Sequence, residues 1–350
     1  CRKRLSDASR MTSEIASRDI SIVVQGPVVG RADDPPAKRF TRRCLESLRR
    51  HLAGAEIVLS TYKNSVTDGL SYDVLVESDD PGGHIQNDVL RVWNNGNRQI
   101  VTTRAGLDNA SRPFVAKFRG DMIMTGSRWL EYVGKFPRRA SEWCVLEERL
   151  LACTVYARNP QSPYCFPFHP SDWFFFGRRK DLLDLWDVSL QPEPETSRYY
   201  ENRPRPDRDV IESNLMRYTP EQYLWVTFLR KHGEIKFDHC HDYSGDAVRL
   251  TELTFANNLV LLEPWQLQIQ FLKYPIRLHD WCTLYTHGDW LRMYRRYCDP
   301  DLRPGPDFTK MKRRLLYHAY LRPRWWAFQM KERLLRSRRP LADRAVARKA

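Results

Sequence analysis

The chain has 350 residues, of which 42% are hydrophobic and 29% are charged, and its formal net charge is +14. This composition excludes a disordered protein, because it supplies enough apolar surface for a large core. The eight cysteines form no CxxC pair and no repeating spacing, which argues against a zinc module or a disulfide scaffold, so we expect reduced thiols. No apolar run approaches the length that spans a bilayer, and the first twenty residues lack the apolar centre of a signal peptide. We therefore expect a cytoplasmic protein.

The first third of the chain alternates short β-branched runs with helical patterns. The run ISIVV ends in Gln25-Gly26-Pro27, which is typical of a buried parallel strand that stops at a backbone turn. The predicted elements are strands over residues 20–24, 56–61 and 73–77 and helices over 40–52 and 97–110. Strand, helix, strand and strand in this order predict an α/β fold built on a doubly wound sheet.

The carboxyl ends of the strands in such a sheet line the crevice where ligands bind. Here these ends carry Gln25, Thr61, Glu77, Asp79 and Asp80, and we expect them to lie where a nucleotide binds. Arg98 stands near the start of the next predicted helix. Its guanidinium is placed to meet a phosphate, unless it is simply solvated as most helix arginines are.

The stretch FVAKFRGDMIMT, residues 114–125, is the centre of the predicted site. Its strand runs into Arg119-Gly120-Asp121, so a carboxylate lies between two apolar segments, where it is costly without a partner. With Lys117 and Arg119 beside it, Asp121 is placed to hold a divalent ion, and ion and guanidinium together would neutralise a diphosphate. This arrangement predicts the binding of a nucleotide sugar. A purely structural Arg–Asp pair is the alternative.

Two further stretches carry acids that suit catalysis. Asp172 stands beside the aromatic run WFFF, and an acid next to an aromatic wall is a common way to hold a sugar, although these rings could equally be core. Thr219-Pro220-Glu221-Gln222 is a helix start, with a Thr cap and Pro in the first turn. Glu221 is then either a capping residue favoured by the helix dipole or a functional acid.

Residues 237–242, FDHCHD, form a local histidine cluster. On an extended segment His239 and His241 share a face. Because a neutral imidazole is a good metal ligand, the pattern is compatible with one of them joining Asp121 around an ion.

The C-terminal part of the chain concentrates positive charge. From residue 310 onward Lys and Arg alternate with Leu, Tyr, Trp and Phe at helical spacing, and basic, aromatic helices of this kind lie well in an anionic membrane interface. A solvated helix packed on the domain is the alternative. No nucleic-acid motif accompanies the charge, so we expect no nucleic-acid partner. The predicted division is a lead segment over 1–19, one domain over 20–282 and a basic amphipathic helical tail over 283–350.

Several separated blocks of the sequence resemble one known family. They are ISIVVQGPV, AEIVLSTYK, VESDDPG, NRQIVTTRAGL, AKFRGDM, SDWFFFG, PEQYLW and FANNLVLL, in that order over residues 20–275. Together they resemble the WavE lipopolysaccharide-synthesis family, a group of GT-A-like glycosyltransferases. The resemblance implies an α/β, GT-A-like doubly wound (Rossmann-like) mixed sheet, here with a basic helical C-terminal extension.

The resemblance also implies roles for particular residues. Asp121 stands where the metal-binding acidic motif of GT-A enzymes falls, but Arg119 replaces the first of its two acids and could supply part of the charge of a Mn or Mg ion. Glu221 matches the acid that is the catalytic base of inverting members, and Asp172 is the second candidate. Strand ends and resemblance together predict a donor site formed by Gln25, Gly26, Pro27, Thr61, Asp79, Arg98, Lys117, Arg119 and Asp121.

We therefore expect a bacterial glycosyltransferase, peripheral on the inner face of the membrane. It would move a sugar from a nucleotide-sugar donor to a lipopolysaccharide or capsular polysaccharide acceptor, which is a glycan or a lipid-linked glycan. Two alternatives stay open. One is a transferase of sugar phosphates in capsule synthesis, and the other is a non-catalytic scaffold for membranes or polyanions, in which the carboxylates only pair with arginines.

Overall fold

A seven-stranded mixed sheet forms the centre of the computed structural model. The structure describes residues 15–31, 33–87, 91–162, 166–204, 215–243, 245–273, 282–324, 326–327 and 330. The strands are β1 (Ile20–Gln25), β2 (Glu56–Tyr62), β3 (Val74–Ser78), β4 (His84–Asn87), β5 (Val92–Asn94), β6 (Phe114–Arg119), β7 (Met122–Met124), β8 (Leu150–Cys153), β9 (Phe174–Arg178), β10 (Leu259–Leu262) and β11 (Ile269–Phe271). The helices are α1 (Phe40–His51), α2 (Gly96–Asn109), α3 (Arg179–Trp186), α4 (Pro220–Arg230), α5 (Ala247–Asn258), α6 (Pro264–Leu267), α7 (His287–Tyr297) and α8 (Phe308–Leu316), and Tyr317–Leu321 continues α8 as a π-helical turn.

The strands of the central sheet follow the order β3-β2-β1-β6-β9-β8-β10. Strand β9 is antiparallel to β6 and β8, and the other neighbouring pairs are parallel. The predicted α/β doubly wound mixed sheet is therefore confirmed. Gln25 of β1 is paired with Ser60 of β2 on one side and with Arg119 of β6 on the other. The carboxyl ends of these strands consequently meet at one edge of the sheet.

Helix α2 lies directly on this part of the sheet, against β1, β2 and β3. Gly106 faces Val23 and Ser60, and a Cβ at this position would overlap the Val23 side chain. The glycine therefore allows the helix to approach the strands closely. The hydroxyl of Ser60 donates to the Thr102 carbonyl oxygen at 2.6 Å, and the hydroxyl of Thr102 donates to Gln25 Oε1 at 3.0 Å. These bonds fix the first half of α2 above the carboxyl edge.

The segment predicted as a basic tail, residues 283–350, begins inside packed structure. Trp290 and Tyr294 of α7 are buried in the main hydrophobic core. Arg313 of α8 is also buried, and its guanidinium lies 3.1 Å from the carboxylate of Glu263, which follows β10. The predicted boundary at residue 283 therefore falls within the folded body.

Parts of the predicted terminal segments lie outside the described residues. These parts are residues 1–14 of the lead segment and residues 325, 328–329 and 331–350 of the tail. Among the described helices, none combines the length and the apolar character that crossing a bilayer requires.

Candidate functional site

A cleft of about 570 Å³ opens at the carboxyl edge of the central sheet. It is lined at the strand ends by Gln25, Gly26, Pro27, Tyr62, Asp80, Arg119, Gly120 and Asp121, from helices by Arg98, Gln99 and Glu221, and from connecting segments by Val29, Asn95, Tyr156, Trp173 and Lys273. Eight residues predicted for the site thus meet in one cleft: Gln25, Gly26, Pro27, Asp80, Arg98, Arg119, Asp121 and Glu221.

The turn after β1 forms one wall of the cleft. Gly26 has a φ of +112°, and its N–H donates to the Ser60 carbonyl oxygen at 3.1 Å. This positive φ favours glycine, since L side chains rarely adopt it. A Cβ at Gly26 would meet nothing within 4 Å, so open space lies beside the backbone here. A ligand atom can therefore approach the main chain closely at this turn.

Arg98 in the first turn of α2 is held in a fixed orientation. Its guanidinium donates to both carboxylate oxygens of Asp80, at 2.7 and 2.6 Å, and to Asn95 Oδ1 at 2.9 Å. These charge-assisted bonds hold the pKa of the Asp80 carboxyl below its usual range. The bidentate geometry orients the guanidinium plane, and Arg98 remains about one-third exposed, with a side-chain exposure of 33%.

Arg119 and Asp121 form a second pair of the same kind. Arg119 Nε and Nη2 lie 3.0 and 2.9 Å from the two carboxylate oxygens of Asp121. The guanidinium also lies over the ring of Trp173, with its carbon 4.4 Å from the ring centroid, as a cation–π contact requires. Tyr156 and Phe271 contact the same indole, with centroids at 5.1 and 4.7 Å. Trp173 thus supports Arg119, and its ring is already covered by these neighbours.

The residues around Asp121 do not fit the predicted metal site. Both carboxylate oxygens of Asp121 are engaged by Arg119. His239 and His241 do not line the cleft; His239 packs on Tyr200 and His241 on Phe166. Over the ranges that the structure describes, no group of three or more His, Cys, Asp or Glu side chains is placed to hold a metal ion. The expected Mn or Mg ion therefore has no ligand set of this kind in the described part of the chain.

Three residues predicted to bind the donor lie away from the cleft lining. Thr61 is buried, and its hydroxyl lies 3.1 Å from that of Ser65. Asp79 points outward and pairs with Lys63, while its neighbour Asp80 faces the cleft. Adjacent residues in extended chain point to opposite sides, which is why only one of the two aspartates reaches the cleft.

Lys117 is the third of these residues, and it is fully buried. It lies on β6 two residues before Arg119 and so further from the carboxyl edge of the sheet. Its ammonium donates to the backbone carbonyl of Asp172 and lies 5.2 Å from the Trp186 ring centroid. Burial lowers the pKa of Lys117 to about 8, against an opposing effect of the Asp172 charge. Lys117 is therefore placed to act on the site through its charge, without lining the cleft.

Asp172, the second candidate base, is buried beneath the cleft. Its exposed fraction is 2%, and neither carboxylate oxygen has a hydrogen-bond partner among the described residues. It does not belong to the cleft lining, in contrast to the neighbouring Trp173. Its position favours an electrostatic effect on the groups above it over direct contact with an acceptor.

Glu221 does reach the cleft, from the first turn of α4. The helix is capped without it: Thr219 Oγ1 accepts from Gln222 N–H at 3.1 Å, and Gln222 Oε1 accepts from Thr219 N–H at 3.2 Å. This reciprocal pair is a capping box. Thr219 and Gln222 therefore cap the helix, and the capping role that the sequence allowed for Glu221 is filled by them. Its carboxyl lies 3.5 Å from His169 Nε2.

The pKa of Glu221 differs in direction from the pKa that a position at a helix start alone predicts. Burial, and next the charge of Asp172, raise the pKa of the Glu221 carboxyl to about 8. The helix dipole would favour the charged form, but desolvation outweighs it. Burial also lowers the pKa of His169 to about 3, so the imidazole is neutral. Near neutrality most Glu221 carboxyls are therefore protonated and need a modest rise in pH to ionise.

Several lining residues were not predicted from the sequence. Tyr156 has a φ of +64° in the segment after β8, and Lys273 follows β11. Both reach the cleft only because the chain folds back over the sheet edge, and no local pattern marks them. Asn95 and Gln99 flank the predicted Arg98, so the start of α2 was the signal that could have found them.

The solved structures that resemble this chain include one with low sequence identity and a low TM-score. A crystal structure of a nucleoside-diphosphate-sugar pyrophosphorylase from Vibrio cholerae RC9 matches at 11% sequence identity and a TM-score of 0.33, covering 78% of this chain and 99% of that chain. A TM-score of this size carries no argument about the present protein. No curated protein matches the sequence.

The family comparison covers nearly the whole described body. The family model described as WavE lipopolysaccharide synthesis matches residues 20–322, from the first residue of β1 to just beyond the π-helical turn. The match includes every residue that lines the cleft. The chain therefore belongs to the WavE lipopolysaccharide synthesis family.

Proposed function

We propose that the protein is a glycosyltransferase that moves a sugar from a nucleotide-sugar donor to a lipopolysaccharide or surface-polysaccharide acceptor. One observation carries the proposal: the carboxyl group of Glu221, which is 16% exposed, and two oriented guanidinium groups, Arg98 and Arg119, face one cleft at the carboxyl edge of a doubly wound sheet. Such edges are where these sheets bind nucleotides, and the family supplies the biosynthetic context. We take the sheet to be of the GT-A type.

The charge in the cleft suits a diphosphate. Arg98 stands in the first turn of α2, where free N–H groups and the helix dipole also favour an anion. Arg119 and Lys273 line the same cleft. The open space beside Gly26 would let a phosphate oxygen approach the backbone. Since Asp121 is engaged by Arg119, we assign the neutralisation of the leaving diphosphate to these cations.

The reaction is a single displacement at the anomeric carbon of the donor sugar. A hydroxyl oxygen of the acceptor forms the new glycosidic bond, and its proton passes to the Glu221 carboxylate. The bond from the anomeric carbon to the diphosphate oxygen breaks, and the nucleoside diphosphate leaves with the electron pair. Arg98 and Arg119 stabilise the charge that develops on it. One displacement inverts the anomeric configuration.

Location at the membrane is a further part of this proposal. A lipopolysaccharide precursor is lipid-linked, so the enzyme would work on the inner face of an anionic membrane as a peripheral protein. The basic helical segment that begins with α8 supports this location.

The function is tested first by donor binding. We expect a nucleoside diphosphate to raise the melting temperature of the full chain, with and without added manganese, because the cleft cations hold it without an ion. A protein that is indifferent to every nucleotide would be a scaffold, which would contradict the proposal.

Product analysis then identifies the reaction. With a labelled nucleotide sugar and a lipopolysaccharide acceptor, sugar transfer must release a nucleoside diphosphate. Release of a nucleoside monophosphate would instead mean that the sugar moves together with its phosphate. That outcome would replace the proposed enzyme by a sugar-phosphate transferase.

A further inference from the structure

Helix α8 and its continuation expose an unusual amount of apolar side chain. Of the eleven large hydrophobic side chains that are exposed among the described residues, six come from positions 308–330. These six are Phe308, Met311, Leu315, Tyr320, Trp326 and Met330. Isolated exposed apolar residues are ordinary, but a contiguous set marks an interaction surface.

The apolar residues of α8 share one face of the helix. Phe308, Met311 and Leu315 are spaced by three and four residues, which places them one above the other. Their exposed fractions are 71%, 62% and 71%. Trp326, further along the segment, is 64% exposed. The face is therefore turned away from the body of the protein.

The opposite side of α8 is fixed to the body. Arg313 is buried, lies 3.1 Å from Glu263, and donates to the Tyr285 carbonyl oxygen at 3.1 Å. Two residues along a helix correspond to a rotation of about 200°, so Leu315 points away from the side that Arg313 anchors. The buried ion pair thus sets the orientation in which the apolar face meets solvent.

Basic side chains flank the apolar face on both sides. Lys312 and Arg314 are exposed, and neither has an ion-pair partner within the part of the chain that the structure describes. At about 100° per residue they lie on either side of the line through Met311 and Leu315. The sequence beyond residue 330 is again rich in Lys and Arg. An apolar strip with cations along both margins is the pattern of a helix that lies in a membrane interface.

We propose that the face formed by Phe308, Met311 and Leu315 docks on the surface of an anionic bilayer. The apolar side chains would enter the boundary between headgroups and acyl chains, while Lys312 and Arg314 meet acidic headgroups. A second copy of the chain fits less well. Its own face carries the same cations, and like charges brought together oppose association.

The docking is tested with the full chain and lipid vesicles, without any nucleotide sugar. We expect the protein to co-sediment with vesicles of phosphatidylcholine mixed with phosphatidylglycerol, and far less with phosphatidylcholine alone. High salt should weaken the binding. Because no donor is present, failure here leaves the proposed sugar transfer untouched, and failure of sugar transfer leaves this result untouched.

Two variants and one control locate the surface. Phe308→Ser/Met311→Ser/Leu315→Ser should lower vesicle binding more than tenfold, and Lys312→Glu/Arg314→Glu should lower it by roughly fivefold or more for each charge. The control Val66→Ser/Trp265→Ser replaces exposed apolar residues outside this helix and should bind normally.

Three results would overturn the docking proposal. The first is unchanged vesicle binding by the triple Ser variant. The second is a wild-type dimer that this variant converts to a monomer, which would make the face a contact between copies. The third is a clear loss of thermal stability in the triple variant, which would mean that another part of the chain covers the face.

Discussion

Glu221 combines two features that a general base needs, access to the cleft and a pKa near the working pH. Glu221→Gln keeps the shape of the side chain and leaves the Thr219–Gln222 capping box in place. We expect transfer to fall by roughly two to four orders of magnitude, with donor binding unchanged. The matched control is Glu234→Gln, an exposed site beyond the same helix. Normal transfer by the Glu221→Gln variant would remove Glu221 from catalysis.

The pKa of Glu221 also predicts how rate and stability depend on pH. The ionised base increases as pH rises towards about 8, so the rate should rise with pH and then level off. Stability should change in the opposite direction. A carboxyl whose folded pKa is raised contributes stability that is full below its unfolded pKa and is lost as pH rises through its folded pKa.

Glu221→Gln should therefore be at least as stable as the wild type at pH 9, and relatively less so at pH 4. Melting temperatures of both proteins across this range test the sign. The groups that surround the carboxyl are Asp172, Arg158, His169 and Lys117. A wild type that gains stability relative to the variant as pH rises would show that the carboxyl is ionised throughout.

Arg119 and Asp121 allow a test of what holds the diphosphate. If Arg119 carries the phosphate, Arg119→Gln should weaken donor binding by ~2–4 kcal/mol. It also leaves Asp121 facing the phosphate, so the double variant with Asp121→Asn should bind better than Arg119→Gln alone. Asp121→Asn by itself should change affinity by ~1 kcal/mol or less.

One result for Arg119 and Asp121 would contradict this assignment and favour a metal site. Loss of donor binding in Asp121→Asn together with loss of manganese dependence would mean that Asp121 binds a metal ion after all. Asp79→Asn, an exposed aspartate outside the cleft, is the control and should bind donor normally. Calorimetry with the nucleoside diphosphate provides the affinities.

The individual site residues were predictable where a strand end or a helix start fixes them. Gln25 and Arg119 follow from the apolar pattern of their strands and the strand-end rule. Lys117 looked equivalent to Arg119 because residues two apart share a face, but its position further from the edge places it beneath the cleft. The pKa of Glu221 is raised by burial and next by the charge of Asp172, 49 positions earlier in the sequence, and no local pattern contains either effect.

Helix α4 positions Glu221, and the capping box at its N-terminus can be tested by mutation. Thr219→Ala removes the hydroxyl that accepts from Gln222 N–H, which should cost ~1 kcal/mol of folding free energy. Because Gln222 is buried and bonded to Pro167 and Cys240, we also expect kcat to fall as the first turn loosens. Urea denaturation and transfer kinetics measure the two effects.

The control for this helix is Thr227→Ala, in the middle of α4. Alanine has the higher helix propensity, so this variant should be as stable as the wild type or slightly more so. An equal loss of stability in both variants would contradict the capping argument.

Most elements near the site followed from periodicity alone. The predicted strands over 20–24 and 56–61 correspond to β1 and β2, and the predicted helix over 97–110 corresponds to α2. Strands β8 and β10 were not predicted. Each is a four-residue apolar run, too short to separate strand from helix, and their pairing joins Leu150 with Leu259 across a long stretch of chain.

At the scale of the whole molecule, the sequence located the positive charge but not the way its helices attach. Basic and apolar residues at helical spacing predicted an amphipathic tail. They could not show which face of α8 is bound to the body, because that depends on Glu263 after a distant strand. The Arg313–Glu263 ion pair therefore predicts that α8 is part of the folded body and cannot be removed without loss of stability.

Truncation after Pro306 tests this distinction. The shortened chain loses Arg313 and leaves the carboxylate of Glu263 buried without its cation. It also loses Asp307, which accepts from the Thr286 hydroxyl and pairs with Arg292. Removing one partner of a buried ion pair costs ~3–5 kcal/mol, so we expect a much lower melting temperature or an insoluble product.

A matched pair of chains decides whether the buried ion pair is the cause. A chain that ends after Leu316 keeps Arg313 and Asp307, so it should melt close to the full-length protein even though most of the basic segment is gone. Glu263→Gln in the chain that ends at Pro306 removes the unpaired charge, and it should recover part of the lost stability. If the chain ending at Pro306 instead melts at the temperature of the full-length protein, α8 is a separable tail. The Arg313–Glu263 ion pair then contributes little to the stability of the fold.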